Sequence, residues 1–112
     1  MAKITTHVLD TSRGKPAAGV VVALERQQGT SFVLVNRSAT DDDGRNRSLT
    51  DADGVPAGTY RLTFALQEYF ASLGQEAFFP EAQLTFIVRD AAEHLHVPLL
   101  LSPFGYTTYR GS

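Results

Sequence analysis

Thr59-Tyr60-Arg61-Leu62-Thr63-Phe64-Ala65-Leu66 alternates without a break: Tyr60, Leu62, Phe64 and Leu66 form one apolar face, and Arg61, Thr63 and Ala65 the other. A repeat of two is the spacing of a β-strand with one face in a core; a helix would scatter the same residues around its axis. Pro56-Ala57-Gly58 marks a turn just before it. Outward from there, residues 19–25 repeat the pattern, with Val20, Val22 and Leu24 on the core side and Val21, Ala23 and Glu25 on the other. Residues 4–10, 32–37, 84–89, 94–101 and 106–110 read as further strands, and a short one is expected near 47–49. Turn residues separate them: Gly14 and Pro16, Gly29, the Asp-rich stretch 41–44, and Asp53-Gly54. The alternation fails over 67–73, where Phe70 and Leu73 share a helical spacing and Gly74 supplies a stop, so one short helix is expected there. About eight short strands, frequent turns and one helix make an all-β protein, an antiparallel β-sandwich. Pro98 lies inside an apolar run, and a residue without an amide hydrogen belongs at an edge, a bulge or a strand end.

With 112 residues, the expectation is one domain over 1–112, large enough for one modest core. Net charge is −2, which offers no basic surface for nucleic acid or anionic membrane, and neither is expected as a partner. Cysteine is absent, which excludes disulfides, thiolate-held zinc and a thiol nucleophile. The start, Met1-Ala2-Lys3-Ile4-Thr5-Thr6-His7, has no apolar secretory core, and no run is long enough to span a membrane, so a cytoplasmic location is expected.

The chemistry-bearing residues gather near the two ends. His94 and His96 share one face of their strand with Pro98 and Leu100, while Val97, Leu99 and Leu101 take the core face. In the first strand Thr5, His7 and Leu9 share a face. First and penultimate strands are often neighbours in a sandwich, which would bring His7 near His96. Three imidazoles are also compatible with an open zinc site, and scattered surface histidines are the plainer alternative. Asp41-Asp42-Asp43-Gly44 lacks the spacing of a calcium loop and reads as a solvated turn. Arg45, next to it, is either solvated or aimed at an anion or carbonyl. Ser112 sits in no nucleophile elbow and reads as a hydrogen-bonding group.

Taken in order, His7-Val8-Leu9-Asp10, Gly14-Lys15-Pro16-Ala17, Asp43-Gly44-Arg45, His96-Val97-Pro98-Leu99-Leu100-Leu101-Ser102-Pro103 and the terminal Tyr109-Arg110-Gly111-Ser112 resemble the 5-hydroxyisourate hydrolases, the transthyretin-like enzymes of urate breakdown. The resemblance runs the length of the chain. It implies a transthyretin-like sandwich of two four-stranded sheets with one short helix. It implies a homotetramer, a dimer of dimers, with active sites in a channel where dimers meet. It implies hydrolysis of 5-hydroxyisourate to 2-oxo-4-hydroxy-4-carboxy-5-ureidoimidazoline without metal or organic cofactor.

By position, the resemblance implies catalytic roles for His7, Arg45, His96 and Ser112, and substrate contacts for Arg45, Tyr109, Arg110, Gly111 and Ser112. His7 and His96 would activate water and move the proton, Arg45 would polarise the carbonyl, and Ser112 would orient a histidine or the substrate. His94 lies outside the pattern, as do Asp41-Asp42 and the Asn46-Arg47-Ser48-Leu49 stretch after Arg45, and Leu95 stands where many members have an aromatic. The alternative is a non-enzymatic carrier, since transthyretin carries a hormone in the same channel; a polar, shallow channel would speak against it. A plain adhesive sandwich leaves the terminal tetrapeptide unexplained.

Overall fold

The computed structural model of the chain describes residues 1–111. Nine strands and one helix follow in the order β1 (Lys3–Asp10), β2 (Lys15–Pro16), β3 (Val21–Gln28), β4 (Ser31–Ala39), β5 (Arg45–Asn46), β6 (Gly58–Ala65), α1 (Leu66–Ser72), β7 (Glu81–Val88), β8 (His94–Ser102) and β9 (Gly105–Thr108). One sheet has the order β4-β3-β6-β7 and is antiparallel throughout. In the other, β1 lies beside β8 and β8 beside β9, and the free edge of β1 is shared by two short strands: β5 along Thr6–His7 and β2 along Leu9–Asp10. The expected two four-stranded sheets are therefore present, with the fourth position of one sheet split between β2 and β5. One pairing departs from the antiparallel expectation: β1 and β8 run parallel, from Lys3↔His94 to Asp10↔Leu101.

The core lies between the sheets and is built by the alternation seen in the sequence. Val20, Val22 and Leu24, then Tyr60, Leu62 and Phe64, are fully buried from one sheet; Ile4, Val8, Leu99 and Leu101 meet them from the other. Phe86 is only half-buried and stacks on Tyr60 with ring centroids 6.4 Å apart. The short strand expected near 47–49 is Arg45–Asn46 instead. Its position is set by pairing with β1, where Thr6↔Asn46 faces the core and His7↔Arg45 faces out, and by no alternation of its own.

The helix begins at Leu66, whose amide, with that of Gln67, donates to the Pro80 carbonyl at 3.1 and 2.9 Å. That contact replaces a side-chain cap. Gly74, at φ +71°, ends it as expected, and the Gln75 amide donates back to the Phe70 carbonyl. Leu66, Tyr69 and Phe70 form the buried face; Leu73, expected beside Phe70, is 37% exposed. Tyr69 anchors the helix to β1 by donating its hydroxyl to Asp10 Oδ2 at 2.8 Å. The other oxygen of this fully buried carboxylate accepts the Ser12 amide and hydroxyl. The charge is thereby matched by donors, which a buried carboxylate requires.

Pro98 sits in the middle of β8, an interior strand, and not at an edge, bulge or end. Its cost falls on one side. The Gly111 amide donates to the His96 carbonyl, which makes His96↔Gly111 a hydrogen-bonded pair of the antiparallel ladder. Alternation makes position 98, opposite Tyr109, the next such pair, and Pro98 has no hydrogen to donate. The regular ladder accordingly ends at Thr108 and resumes only at Gly111.

Gly14 and Gly44 separate two reasons for glycine in a turn. Both have positive φ, +64° and +75°, but a side chain at Gly14 would meet nothing, whereas one at Gly44 would overlap the Val8 carbonyl oxygen. Gly14→Ala is expected to cost about 1–2 kcal/mol from backbone strain alone. Gly44→Ala is expected to cost more than about 3 kcal/mol, strain plus overpacking. Urea unfolding of the two variants tests this; equal losses would mean that the turn before Arg45 is not locked onto β1.

Candidate active site

The outer face of β1, β5 and β8 collects the residues that the sequence singled out. Neighbours in register share a face, so Arg45, His7 and Pro98 form one row across the sheet, and Thr5, His96 and Gly111 the next. His7 and His96 thus come from adjacent strands, one pleat apart. Arg45 stands beside His7 because β5 pairs there. The turn that delivers it is the Asp-rich stretch: Asp41 Oδ1 accepts the amides of Asp43 and Arg45 at 2.9 and 3.0 Å. Those bonds, that to Arg45 foremost, hold the Asp41 carboxyl below its usual range. The stretch is a solvated turn, as its composition suggested, and its carboxylate shapes backbone.

Each histidine is oriented by a neighbour. His7 Nε2 lies 2.9 Å from the Asp43 carbonyl oxygen, and a carbonyl only accepts, so that nitrogen carries hydrogen and the free nitrogen is Nδ1. His96 Nδ1 shares a hydrogen bond of 2.9 Å with the Thr5 hydroxyl, which leaves Nε2 for other work. Burial pushes the His96 imidazole below its ordinary pKa, and the charges of His7, Arg45, His94 and Arg47 push it the same way. His96 is therefore neutral at neutral pH. Thr5, Asp41 and Asp43 are positioning residues that the sequence reading did not assign. The usable signal for Thr5 was its place two before His7, on the same face.

The end of the chain reaches this face too. Arg110 Nη2 donates to Glu93 Oε2 at 2.9 Å, and Glu93 Oε1 also accepts the amides of Arg89 and Asp90, so the preceding turn holds the tail. Gly111 follows, bonded to the His96 backbone. A Cβ there would come within 2.8 Å of His96 Cδ2 and 3.1 Å of Pro98 Cγ, so only glycine lets the tail lie flush on the imidazole. Tyr109 is 57% exposed and, with His7, Pro98 and Leu100, borders a small hollow of about 120 Å³. Ser112 lies outside the described residues.

A larger open basin of about 410 Å³ lies over Thr5, Arg45 and His96 and extends to Lys3, Arg47 and His94. It can hold a small heterocycle in contact with a neutral imidazole and a guanidinium, the pairing needed to activate water and to stabilise an oxyanion. Among the described residues no three histidine or carboxylate side chains converge where they could hold a metal ion, so the three histidines do not form a zinc triad. No helix among the described residues is long and apolar enough to cross a membrane.

Comparison with known proteins agrees with this geometry. A 5-hydroxyisourate hydrolase of Salmonella dublin is 43% identical over 109 residues, which span 97% of this chain and 80% of that protein. The structure of Klebsiella pneumoniae 5-hydroxyisourate hydrolase superimposes with a TM-score of 0.89 at 38% identity and covers both chains completely. Transthyretin from Sparus aurata superimposes with a TM-score of 0.91 at 28% identity, over 97% of this chain and 96% of its own. The model of the HIUase/Transthyretin family matches residues 4–111. The sandwich, the parallel β1–β8 pair and the tail laid on His96 are thus those of a chain that belongs to the HIUase/Transthyretin family.

Proposed function

We propose that this chain is a 5-hydroxyisourate hydrolase that opens the substrate ring to 2-oxo-4-hydroxy-4-carboxy-5-ureidoimidazoline in urate breakdown. The observation that carries the reading is the juxtaposition of neutral His96 with Arg45 and His7 on one face, with Gly111 laid against His96. Enzymes of this name are similar over nearly the whole chain. Water attacks a ring carbonyl, the carbonyl carbon gains the water oxygen and releases its ring nitrogen, and that nitrogen takes up a proton. His96 Nε2 is the base for water, since burial keeps it unprotonated. His7 manages a second proton through Nδ1, and Arg45 faces the developing oxyanion as a permanent charge. Tyr109, Arg110 and Gly111 shape the substrate's wall, and Ser112 orients a histidine or the substrate.

The open basin on one protomer favours a working unit in which other copies close it. We take this to be a homotetramer, a dimer of dimers with the sites where dimers meet, acting as a single-domain cytoplasmic enzyme without cofactor. The carrier alternative requires an apolar channel, and a face built from two histidines and an arginine does not offer one.

With substrate generated from urate by urate oxidase, the intact chain is expected to accelerate its decay. His96→Ala should lower kcat by roughly 10²-fold or more, the usual share of a general base, and His7→Ala and a chain ending at Thr108 should each be strongly impaired. Tetramers that leave the decay rate unchanged would sink the hydrolase reading and bring the carrier forward.

The pH dependence has a definite sign. Because the folded imidazole of His96 binds its proton less readily than an ordinary one, kcat/KM should hold down through pH 6.5 and fall only in more acid solution. The unfolded chain binds more protons between the folded value and 6.5, so stability rises with pH across that window and is complete above it. Histidine NMR titration gives the midpoint directly; a His96 midpoint at or above 6.5 would refute the assignment of this base.

A further inference from the structure

The outer face of the site sheet is basic beyond the groups given work above. The register Lys3↔His94 sets these two side by side, one pleat further along from Thr5↔His96. Arg47 stands two residues beyond Arg45, past the end of β5, and is exposed. Lys3, Arg47 and His94 all border the basin that holds Arg45 and His96. Lys3 is fixed there, because its Nζ donates to the carbonyl oxygens of Asp51 and Ala52. Among the described residues Asp51 is the one acidic residue on this wall, and its Oδ1 accepts the amides of Asp53 and Gly54. Among the described residues, Lys3, Arg45 and Arg47 take part in no ion pair.

Solvated lysines and arginines are ordinary on a surface and contribute little. Here the arrangement is not scattered. A chain with net charge −2 turns basic side chains from three adjacent segments toward one hollow and, among the described residues, places only Asp51 as an acid there. Mutual repulsion disfavours such a cluster unless an anion shares it, and a concave basic wall concentrates anions.

We propose that Lys3, Arg47 and His94 form an anion subsite next to the reacting groups, and that its ligand is a carboxylate borne on a small diamide heterocycle. The choice of carboxylate rests on the hydrolase reading. Opening a cyclic amide turns a neutral carbonyl into a carboxylic acid that ionises at neutral pH, so the product carries a charge that the carbonyl did not. Cations one pleat from the reaction give that carboxylate a place away from Arg45. Arg47 supplies a two-pronged guanidinium, Lys3 a point charge and His94 an N–H donor.

Orotate and uracil test the idea, since they share a ring and differ in the carboxylate; methyl orotate removes the charge and keeps the bulk. Calorimetric titration of the full-length protein should show orotate binding at least about 10-fold more tightly than either neutral ligand, the size of a good charge-assisted contact. Arg47→Gln should bring the three ligands within about 2-fold of one another. Arg89→Gln, which removes an exposed arginine elsewhere, should keep the preference. Unfolding midpoints confirm that both variants are folded. Equal binding of the three ligands by the wild-type protein would overturn the subsite, as would a preference that survives Arg47→Gln or is lost equally in Arg89→Gln. Turnover of 5-hydroxyisourate by the same preparations separates the two readings: no turnover with an intact orotate preference removes the hydrolase alone, and turnover without the preference removes the subsite alone.

Discussion

The parallel pairing of β1 with β8 is the constraint on which both the core and the site depend. From Lys3↔His94 to Asp10↔Leu101 the two strands stay in step. The inward residues of β1, Ile4, Thr6, Val8 and Asp10, therefore lie beside Leu95, Val97, Leu99 and Leu101. The outward ones, Lys3, Thr5, His7 and Leu9, lie beside His94, His96, Pro98 and Leu100. A slip of one residue would turn Leu95 and Leu99 to solvent and drive His96 into the sandwich. Full burial of Ile4, Val8, Leu99 and Leu101 penalises that slip, so the same apolar contacts that stabilise the fold keep the imidazoles in place.

Around this pair, polar side chains convert register into orientation. Asp10 ties the helix to β1 through Tyr69, Asp41 ties the turn that carries Arg45, and Glu93 ties the turn before β8 to Arg110. The first is buried and fully matched by donors. The other two are exposed and individually weak, yet each is backed by amide hydrogens of its own turn, so the geometry does not rest on one surface ion pair. Thr5 acts the same way at shorter range, since its hydroxyl sets which ring nitrogen of His96 is left for substrate.

How much of this was legible depended on whether period alone decided it. Val20, Val22, Leu24, Tyr60, Leu62 and Phe64 alternate strongly, and every one is buried as read. The neighbourhood of His7 and His96 also followed, because sandwiches place such strands together. The parallel direction of that pair did not follow, since alternation reads the same in either direction. Arg45–Asn46 escaped because two residues carry no period, and only the partner strand defines them. Leu73 misled because a spacing of three fits one helical face, whereas the helix lies on Leu66, Tyr69 and Phe70 with its last turn already leaving the core. Thr5, Asp41 and Asp43 act through geometry that becomes visible only once the strands are paired. Arg45, by contrast, stood out in the sequence through the family pattern, and its place beside His7 now has a mechanical cause in the β5 pairing.

The order of residues at the chain's end has a physical reason in the same ladder. Pro98, without an amide hydrogen, interrupts pairing opposite Tyr109, so the tail leaves the sheet for two residues. Released there, the Tyr109 ring borders the hollow at His7, and the Arg110 guanidinium reaches sideways to Glu93. The backbone must then return to the His96 carbonyl, and at that point any side chain would strike the imidazole; Gly111 has none. Proline, tyrosine, arginine and glycine are thus read as one unit: an interruption, two projecting groups and a close return. Restoring an amide hydrogen at position 98 would allow the ladder to zip through Tyr109 and compete with the projections that the site uses. The irregular end of this sheet is held irregular by its own sequence, and it brings Gly111 to the base of the proposed reaction.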